Sequence, residues 1–280
     1  MYHPKITIIT ASYNSAKTIE QCISSIVNQT YDNIEYIVID GASTDGTVDI
    51  IKRYSDRIAY WVSEPDQGIY NALNKGIAHA TGDYIDIIGS DDSLTDPQII
   101  EQVVSEMQDE PDILSCAEWC VDDDMGYQHL YDNVPARDKS TYSGGMVPHA
   151  AMFTKRDLLH KYPFDESYRI AGDYKFFLQC YYDPDVRIKF SDLIVAFFAS
   201  GGASSHNSAC IEEDERIYAE LGLPFHDVCQ EKSRPLYKRA VFSITNSLNI
   251  TEPVRRWYHM HIDWQKHHCN NAICRWCHRS

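Results

Sequence analysis

Asp91 and Asp92 stand side by side in the stretch GSDD (89–92), directly after an apolar run ending at Ile88. Two carboxylates at one strand end repel each other unless a positive charge lies between them. Paired hard oxygen ligands suit Mg²⁺ or Mn²⁺, which use one or two carboxylates and complete their shell with water and substrate phosphates. Three further turns have the same polar character: SYN (12–14), DGASTDGT (40–47) and EPDQG (64–68). Aspartate therefore occurs in three of the four turns, at Asp40, at Asp66 and at Asp91 with Asp92. The chain has no G-x-G-x-x-G after its first strand and no G-x-x-x-x-G-K-[ST] anywhere, so a phosphate ligand would have to be held through a metal.

The elements that must position these turns are legible around them. Apolar, β-rich runs at Ile6–Thr10, Ile34–Ile39, Ile58–Val62 and Tyr84–Ile88 predict strands. Between them, Ile19, Ile23 and Ile26, then Val48 and Ile51, then Ile69, Leu73 and Ile77 recur at helical spacing. Strand and helix in alternation imply right-handed crossovers, hence an α/β fold with a Rossmann-like, mostly parallel sheet and helices on both faces. Such sheets bind ligands beyond the carboxyl ends of their strands, which gathers the four turns on one rim. Capping is the plainer role for an aspartate. For the helix after residue 96, Thr95 or Asp96 supplies a cap and Pro97 the first position, so Asp91 and Asp92 are not needed there. Asp40 with its glycine and serine neighbours also reads as a simple turn. Asp173, ahead of the apolar FFLQCYY (176–182), also reads as an N-cap.

Composition narrows the function classes. The 280 residues are 44% hydrophobic, enough for a large core. The net charge of −16 is uneven: −23 over residues 1–231 and +7 over 232–280. An acidic body excludes nucleic acid as the main partner, and a basic tail suits an anionic membrane surface. No run reaches the 18 apolar residues of a spanning helix, and KITIIT enters a strand with no basic, apolar leader, so a cytoplasmic protein is expected. Nine cysteines, an odd number, match a reducing compartment.

The last 14 residues, HHCNNAICRWCHRS, place Cys269, Cys274 and Cys277 beside His267, His268 and His278. The spacing is cramped and lacks the two separated ligand pairs of a structural zinc site, so reduced, partly buried thiols are the alternative to zinc. The mix of Arg, Lys, Trp and Tyr with apolar positions suits an interfacial helix or an ordinary helix packed on the core. VDDDMG (121–126) reads as a solvated acidic turn. His149 and His206 are acceptor or metal contacts, or structural histidines.

Taken together, ITIITASYNSAKTIEQCISSI, YIVIDGASTDGT, SEPDQGIYNALNKGIAHATGDYI and GSDDSL resemble the nucleotide-binding half of a family 2 glycosyltransferase with the GT-A fold. VPHAAMF (147–153), DESYRIAGDYKFF (165–177) and FFASGGASS (197–205) are similar, more loosely, to acceptor-side elements of its bacterial surface-polysaccharide branch. The resemblance implies that Asp40 contacts a nucleobase, usually uracil, that Asp91 faces the ribose, and that Asp92 is the metal ligand. It places Asp66 and Lys75 near the nucleotide, Lys75 being read equally as an exposed helical lysine, and makes Asp173 the catalytic base. The family often has Glu-Asp where this chain has Gly172-Asp173, and GAS (41–43) replaces the commoner glycine-serine-serine.

The resemblance divides the chain into a nucleotide-sugar half (1–95), an acceptor half (96–210) and a basic helical C-terminal appendage (211–280). The expected activity is an inverting, Mn²⁺- or Mg²⁺-dependent transfer of a hexose or N-acetylhexosamine from a UDP-sugar. The expected acceptor is a lipid-linked saccharide on polyprenyl diphosphate, in lipopolysaccharide O-antigen or exopolysaccharide synthesis, with peripheral membrane contact through 232–280. Two rival readings are a sugar-1-phosphate nucleotidyltransferase, whose glycine-rich basic start is absent here, and a non-catalytic nucleotide-sugar-binding module.

Overall fold

A computed structural model describes residues 2–122, 127–140, 142, 144–200, 208–223, 265–266, 274 and 276. The first half alternates β1 (Ile6–Ser12), α1 (Ile19–Val27), β2 (Ile34–Asp40), α2 (Thr47–Arg53), β3 (Tyr60–Ser63), α3 (Ile69–His79) and β4 (Tyr84–Ile87). These four strands are mutually parallel, in the order β4-β1-β2-β3. The two sheet faces bury separate cores. Ile9, Ile37, Ile39, Ile85 and Ile87 meet α3, while Ile6, Ile8, Val38 and Tyr84 meet α1 and α2. The period of two along each strand and of 3.6 along each helix produces this double covering.

In α1 the expected positions Ile19, Ile23 and Ile26 are buried. In α3 the inward stripe is Tyr70, Leu73, Gly76 and Ile77, and Ile69 is 51% exposed instead of facing the core. Position 69 opens the helix, and the bulkier Tyr70 one residue on takes the inward place. In α2, Ile50 joins Ile51 in the core while Val48 is only half-buried.

The second half supplies β5 (Ser93–Leu94), α4 (Ile99–Glu106), β6 (Ile113–Asp122), β7 (Tyr127–Tyr131), β8 (Met152–Lys155), α5 (Arg156–Lys161), α6 (Gly172–Tyr182), β9 (Ile188–Ser200), α7 (Ser208–Leu221) and β10 (Gln265–Lys266). Asp96 accepts the Gln98 amide as a turn, and α4 begins only at Ile99, two residues past the proline expected to open it. β8 runs antiparallel between β4 and β6, so the sheet is parallel through the first half and mixed beyond it. β6 gives one edge to β9 in parallel, and the other first to β8 and then to β7. A register shift between Ser115 and Glu118 marks the change of partner. α7 straddles the boundary expected at 210, and β10 pairs with β7. Most of 232–280, with its Cys269, Cys277 and histidines, lies outside the described residues, as do His206 and 123–126.

Among the described residues no helix is long and apolar enough to cross a membrane. Cys22, Cys116 and Cys180 are buried thiols; burial pushes Cys22 up to about 12.

Candidate active site

The carboxyl ends of β1, β2 and β3 are in register, so Ser12, Asp40 and Ser63 are neighbours across three strands. Asp40 is fully buried, and the rung explains how its charge is satisfied. Its Oδ1 accepts the hydroxyls of Ser12 (3.0 Å) and Ser43 (2.5 Å). Its Oδ2 accepts the Ser63 hydroxyl (2.6 Å) and the Ser43 amide (2.9 Å). Four donors on two oxygens replace the water a carboxylate loses on burial.

The loops above this rung are laced together. Asn14 N–H donates to Ser43 Oγ (2.7 Å), Ala16 N–H to Asp45 (3.0 Å) and Ser15 N–H to Thr47 Oγ1 (2.8 Å). Ser15 Oγ lies 2.7 Å from Ser90 Oγ, which joins the first turn to GSDD. Ala42 adopts φ 60°, a left-handed conformation with a steric cost for alanine.

Asp66 leans over Gly41: a Cβ at position 41 would lie 2.5 Å from Asp66 Oδ2 and 3.4 Å from the Tyr13 ring. The glycine thus lets a carboxylate and an aromatic approach the same patch of backbone. Tyr13 is 67% exposed and offers an open ring face beside that patch. Lys75 turns to Glu64 (2.7 Å) and to the Pro65 carbonyl (3.3 Å), so its ammonium ties the 64–68 loop to α3.

At the end of β4, both aspartates fold back over Gly89. An added Cβ there would lie 2.6 Å from Asp92 Oδ2 and 2.9 Å from Asp91 Oδ1. Asp92 is 4% exposed; its Oδ2 accepts Gly89 N–H (3.1 Å) and its Oδ1 accepts Ala199 N–H from β9 (2.8 Å). The Asp92 carboxylate, held by two backbone amides with the Asp91 carboxylate beside it, supplies the hard oxygen donors that suit Mg²⁺ or Mn²⁺. Among the described residues no group of three or more His, Cys, Asp or Glu side chains converges as an all-protein metal cage. The residues therefore fit an ion completed by substrate oxygens.

Behind Asp92 lies Glu118 of β6, 2% exposed, with its Oε2 lacking any hydrogen-bond partner. Burial, and after it the charge of Asp92, pushes the Glu118 carboxyl well above its usual range. That favours the neutral acid.

Asp173 occupies the first turn of α6 and is not its N-cap, which is Ala171. Its Oδ1 accepts the Tyr70 hydroxyl (2.9 Å) and the Tyr174 amide (2.9 Å), and its Oδ2 lies 4.0 Å from His149 Nε2. Gly172 leaves room for the Tyr70 ring, since a Cβ there would stand 2.8 Å from two ring carbons. From α7, Glu213 accepts the amides of Arg169, Ile170 and Ala171 at 2.8, 2.9 and 2.8 Å, which fixes the entry to α6. Its neighbour Asp214 is pushed up to about 6, first by burial and then by the charges of Asp173 and Glu213.

Asp40, Asp66, Asp91 and Asp92 thus share the rim formed by the strand ends, while Lys75 is engaged beside it. Sequence reading missed Tyr13, Tyr70, Glu118, Glu213 and Asp214. The one acid inside the apolar run ILSCAEWCV (113–121) was a signal for Glu118; for Tyr70 and Asp214 no local pattern marks the role.

A family model described as Glycosyl transferase family 2 matches residues 7–162, more than half of the chain. An uncharacterised glycosyltransferase of Mycobacterium tuberculosis is 32% identical over 179 residues, covering 63% of this chain and 68% of the relative. A PGL/p-HBAD biosynthesis glycosyltransferase of Mycobacterium bovis is 27% identical over 222 residues, 74% of this chain and 81% of the relative. Among solved structures, S. aureus TarS 1-349 with UDP-GlcNAc superposes at TM-score 0.62 and 17% identity, covering 92% of this chain and 73% of the other. A Pyrobaculum calidifontis mannosyltransferase with GDP-Man and Mn²⁺ superposes at TM-score 0.59 and 20% identity, covering 92% and 84%. Against a further structure of S. aureus TarS 1-349, at TM-score 0.61 and 21% identity, the alignment covers 78% of this chain and 65% of the other. The architecture is the GT-A fold, and by the match over residues 7–162 the chain belongs to glycosyl transferase family 2.

Proposed function

We propose that the protein catalyses inverting, metal-dependent transfer of a hexose or N-acetylhexosamine from a UDP-sugar to a saccharide acceptor on polyprenyl diphosphate. The setting is O-antigen or exopolysaccharide assembly at the cytoplasmic membrane face. The observation that carries this reading is the single rim on which Asp40, Asp66, Asp91 and Asp92 meet, at the carboxyl ends of parallel strands. Solved neighbours hold UDP-GlcNAc or GDP-Man with Mn²⁺, which supports a nucleotide-sugar donor.

In this reading the nucleobase lies on the exposed Tyr13 ring; the contact expected of Asp40 passes to Asp66, because Asp40 is buried with both oxygens occupied by Ser12, Ser43 and Ser63 and anchors the turn beneath. Asp91 faces the ribose. Asp92, with Asp91 beside it, would hold Mg²⁺ or Mn²⁺. When bound, such an ion stabilises the charge growing on the leaving diphosphate, worth several kcal/mol. Asp173 takes the proton of the acceptor hydroxyl as the new bond forms. One base and no second carboxylic partner at the anomeric carbon gives a single displacement and inversion. The buried Glu118, whose carboxyl burial pushes toward the protonated form, backs Asp92. The basic stretch 232–280 supplies the membrane contact.

Calorimetric titration with UDP, GDP, TDP and CMP, each with and without Mn²⁺, tests the donor assignment. Mn²⁺-dependent binding of UDP that disappears in Asp92→Ala is expected; binding of none of the four would remove the donor site. Retained anomeric configuration in the product, read by NMR, would overturn the single displacement. Failure of anionic vesicles to retain the protein at low salt would remove the membrane contact.

A further inference from the structure

Tyr70 is 4% exposed, and its hydroxyl lies between two acceptors: the Ile170 carbonyl at 2.5 Å and Asp173 Oδ1 at 2.9 Å. A phenol has one proton to donate, and an ionised carboxylate is the stronger acceptor. Oδ1 also receives the Tyr174 amide, so two donors converge on one oxygen of Asp173. Among the described residues no hydrogen bond reaches Oδ2, which faces His149 Nε2 at 4.0 Å.

We infer that Tyr70 is the positioning residue of Asp173: with the Tyr174 amide it saturates Oδ1 and leaves Oδ2 as the oxygen that receives the acceptor's proton. This rests on the reading of Asp173 as the base. The proton balance is simple. The acceptor O–H bond breaks, its proton moves to Oδ2, and the Tyr70 proton stays on Tyr70. As Oδ1 loses charge, the Tyr70 hydroxyl leans to the Ile170 carbonyl, so it has a partner in both states of the base. Burial, and then the Asp173 charge, keeps the Tyr70 phenol far above the usual tyrosine range, in keeping with a group that donates without ionising.

The surroundings are built for this contact. Gly172 has no Cβ where the Tyr70 ring lies, and Phe164 packs on the same ring at 5.6 Å between centroids. Asn71 and Asn74 of α3 both donate to Glu166 (2.9 Å each), and Asn74 also donates to the Phe164 carbonyl (2.8 Å). These bonds clamp α3 to the segment leading into Asp173. The helix that carries Tyr70 opens directly after Gly68, whose amide donates to Asp66 (2.9 Å), so one element spans the donor rim and the base.

Other titrating or charged groups around Asp173 are His149 before β8, Tyr131 at the end of β7, and Glu213 and Asp214 on α7. All of them are unchanged in a Tyr70→Phe variant, which also keeps the ring that packs on Gly172. The test follows the Asp173 side-chain carboxyl by ¹³C NMR across pH, its resonance assigned by its loss in Asp173→Asn. Removing a donor to the ionised form should move the titration midpoint of Tyr70→Phe upward by about one unit. Gly172→Ala, which pushes the ring away, should move it in the same direction. Equal midpoints in wild type and Tyr70→Phe overturn the proposal. The reading of Asp173 as base fails separately if Asp173→Asn releases UDP from UDP-sugars at the wild-type rate with Mn²⁺ present.

Discussion

The ring of Tyr70 rests on the Cα of Gly172, so close that a methyl group there would stand 2.8 Å from Cε2 and Cζ. At position 172 the chain has room only for the hydrogen atom of a glycine. Gly172→Ala should overpack the contact and destabilise the fold by about 1–3 kcal/mol. Thermal denaturation reads this as a fall of several degrees; an unchanged midpoint would mean that α6 shifts freely.

Gly89 has the same relation to the acidic pair. Gly89→Ala puts a methyl 2.6 Å from Asp92 Oδ2 and 2.9 Å from Asp91 Oδ1. Both carboxylates must turn away, so Mn²⁺-dependent UDP binding should weaken at least about tenfold, a loss of about 1.4 kcal/mol. Calorimetry on the variant, with circular dichroism as the fold control, decides this.

Ala42 offers an opposite case. Its φ of 60° strains an alanine and not a glycine. Ala42→Gly should stabilise the protein by roughly 1 kcal/mol, since relief of the left-handed strain outweighs the added freedom of the unfolded chain. Urea denaturation with an unchanged slope and a higher midpoint is the expected result.

Asp86 is fully buried on β4, where the Ile87 and Met152 amides come near its carboxylate without well-formed hydrogen bonds, and burial outweighs them to push its carboxyl well above the usual range. Glu118 is raised too, for the same first cause. The folded state therefore keeps protons that the unfolded chain releases above about pH 4. Each group lowers stability as pH rises from there toward its folded value, by roughly 1.4 kcal/mol per unit. Glu35 and Asp165, both lowered to about 2 with Lys5 or Lys175 as partner, act oppositely, their stabilisation being lost as pH falls from about 4 toward 2. The metal-free melting temperature should thus fall as pH rises above about 5 and drop again below pH 4. Asp86→Ala should raise stability at pH 7 by about 1–3 kcal/mol and flatten the upper limb. A melting temperature that climbs between pH 5 and 8 would refute the assignment.

Trp276 and Cys274 are buried against Phe197 and Ala199, with the Trp276 and Phe197 rings 6.0 Å apart. The Ala199 amide is the one that holds Asp92 Oδ1. Trp276→Ala should cost roughly 3 kcal/mol of stability and weaken Mn²⁺-dependent UDP binding, with Trp276→Phe milder on both. Unaltered Mn²⁺ affinity in a folded Trp276→Ala protein would separate the tail from the donor rim.

The parallel half of the sheet and its rim were readable from residues 1–95, because strand and helix periods and the polar turns between them are local properties of the chain. The clustering of Asp40, Asp66, Asp91 and Asp92 followed from that order, since parallel strands bring successive turns to one edge. The occupation of each group did not follow. Asp40 is satisfied by Ser12 and Ser63 through strand register, and Lys75 is drawn to Glu64; both are matters of which side chains meet in space. Tyr70 and Asp173 lie 103 residues apart, and Ala199 and Asp92 lie 107 apart. Periodicity carries no information over such separations: only the packing of α3 on α6, and of β9 beside β5 and β6, decides which hydroxyls and amides hold each aspartate.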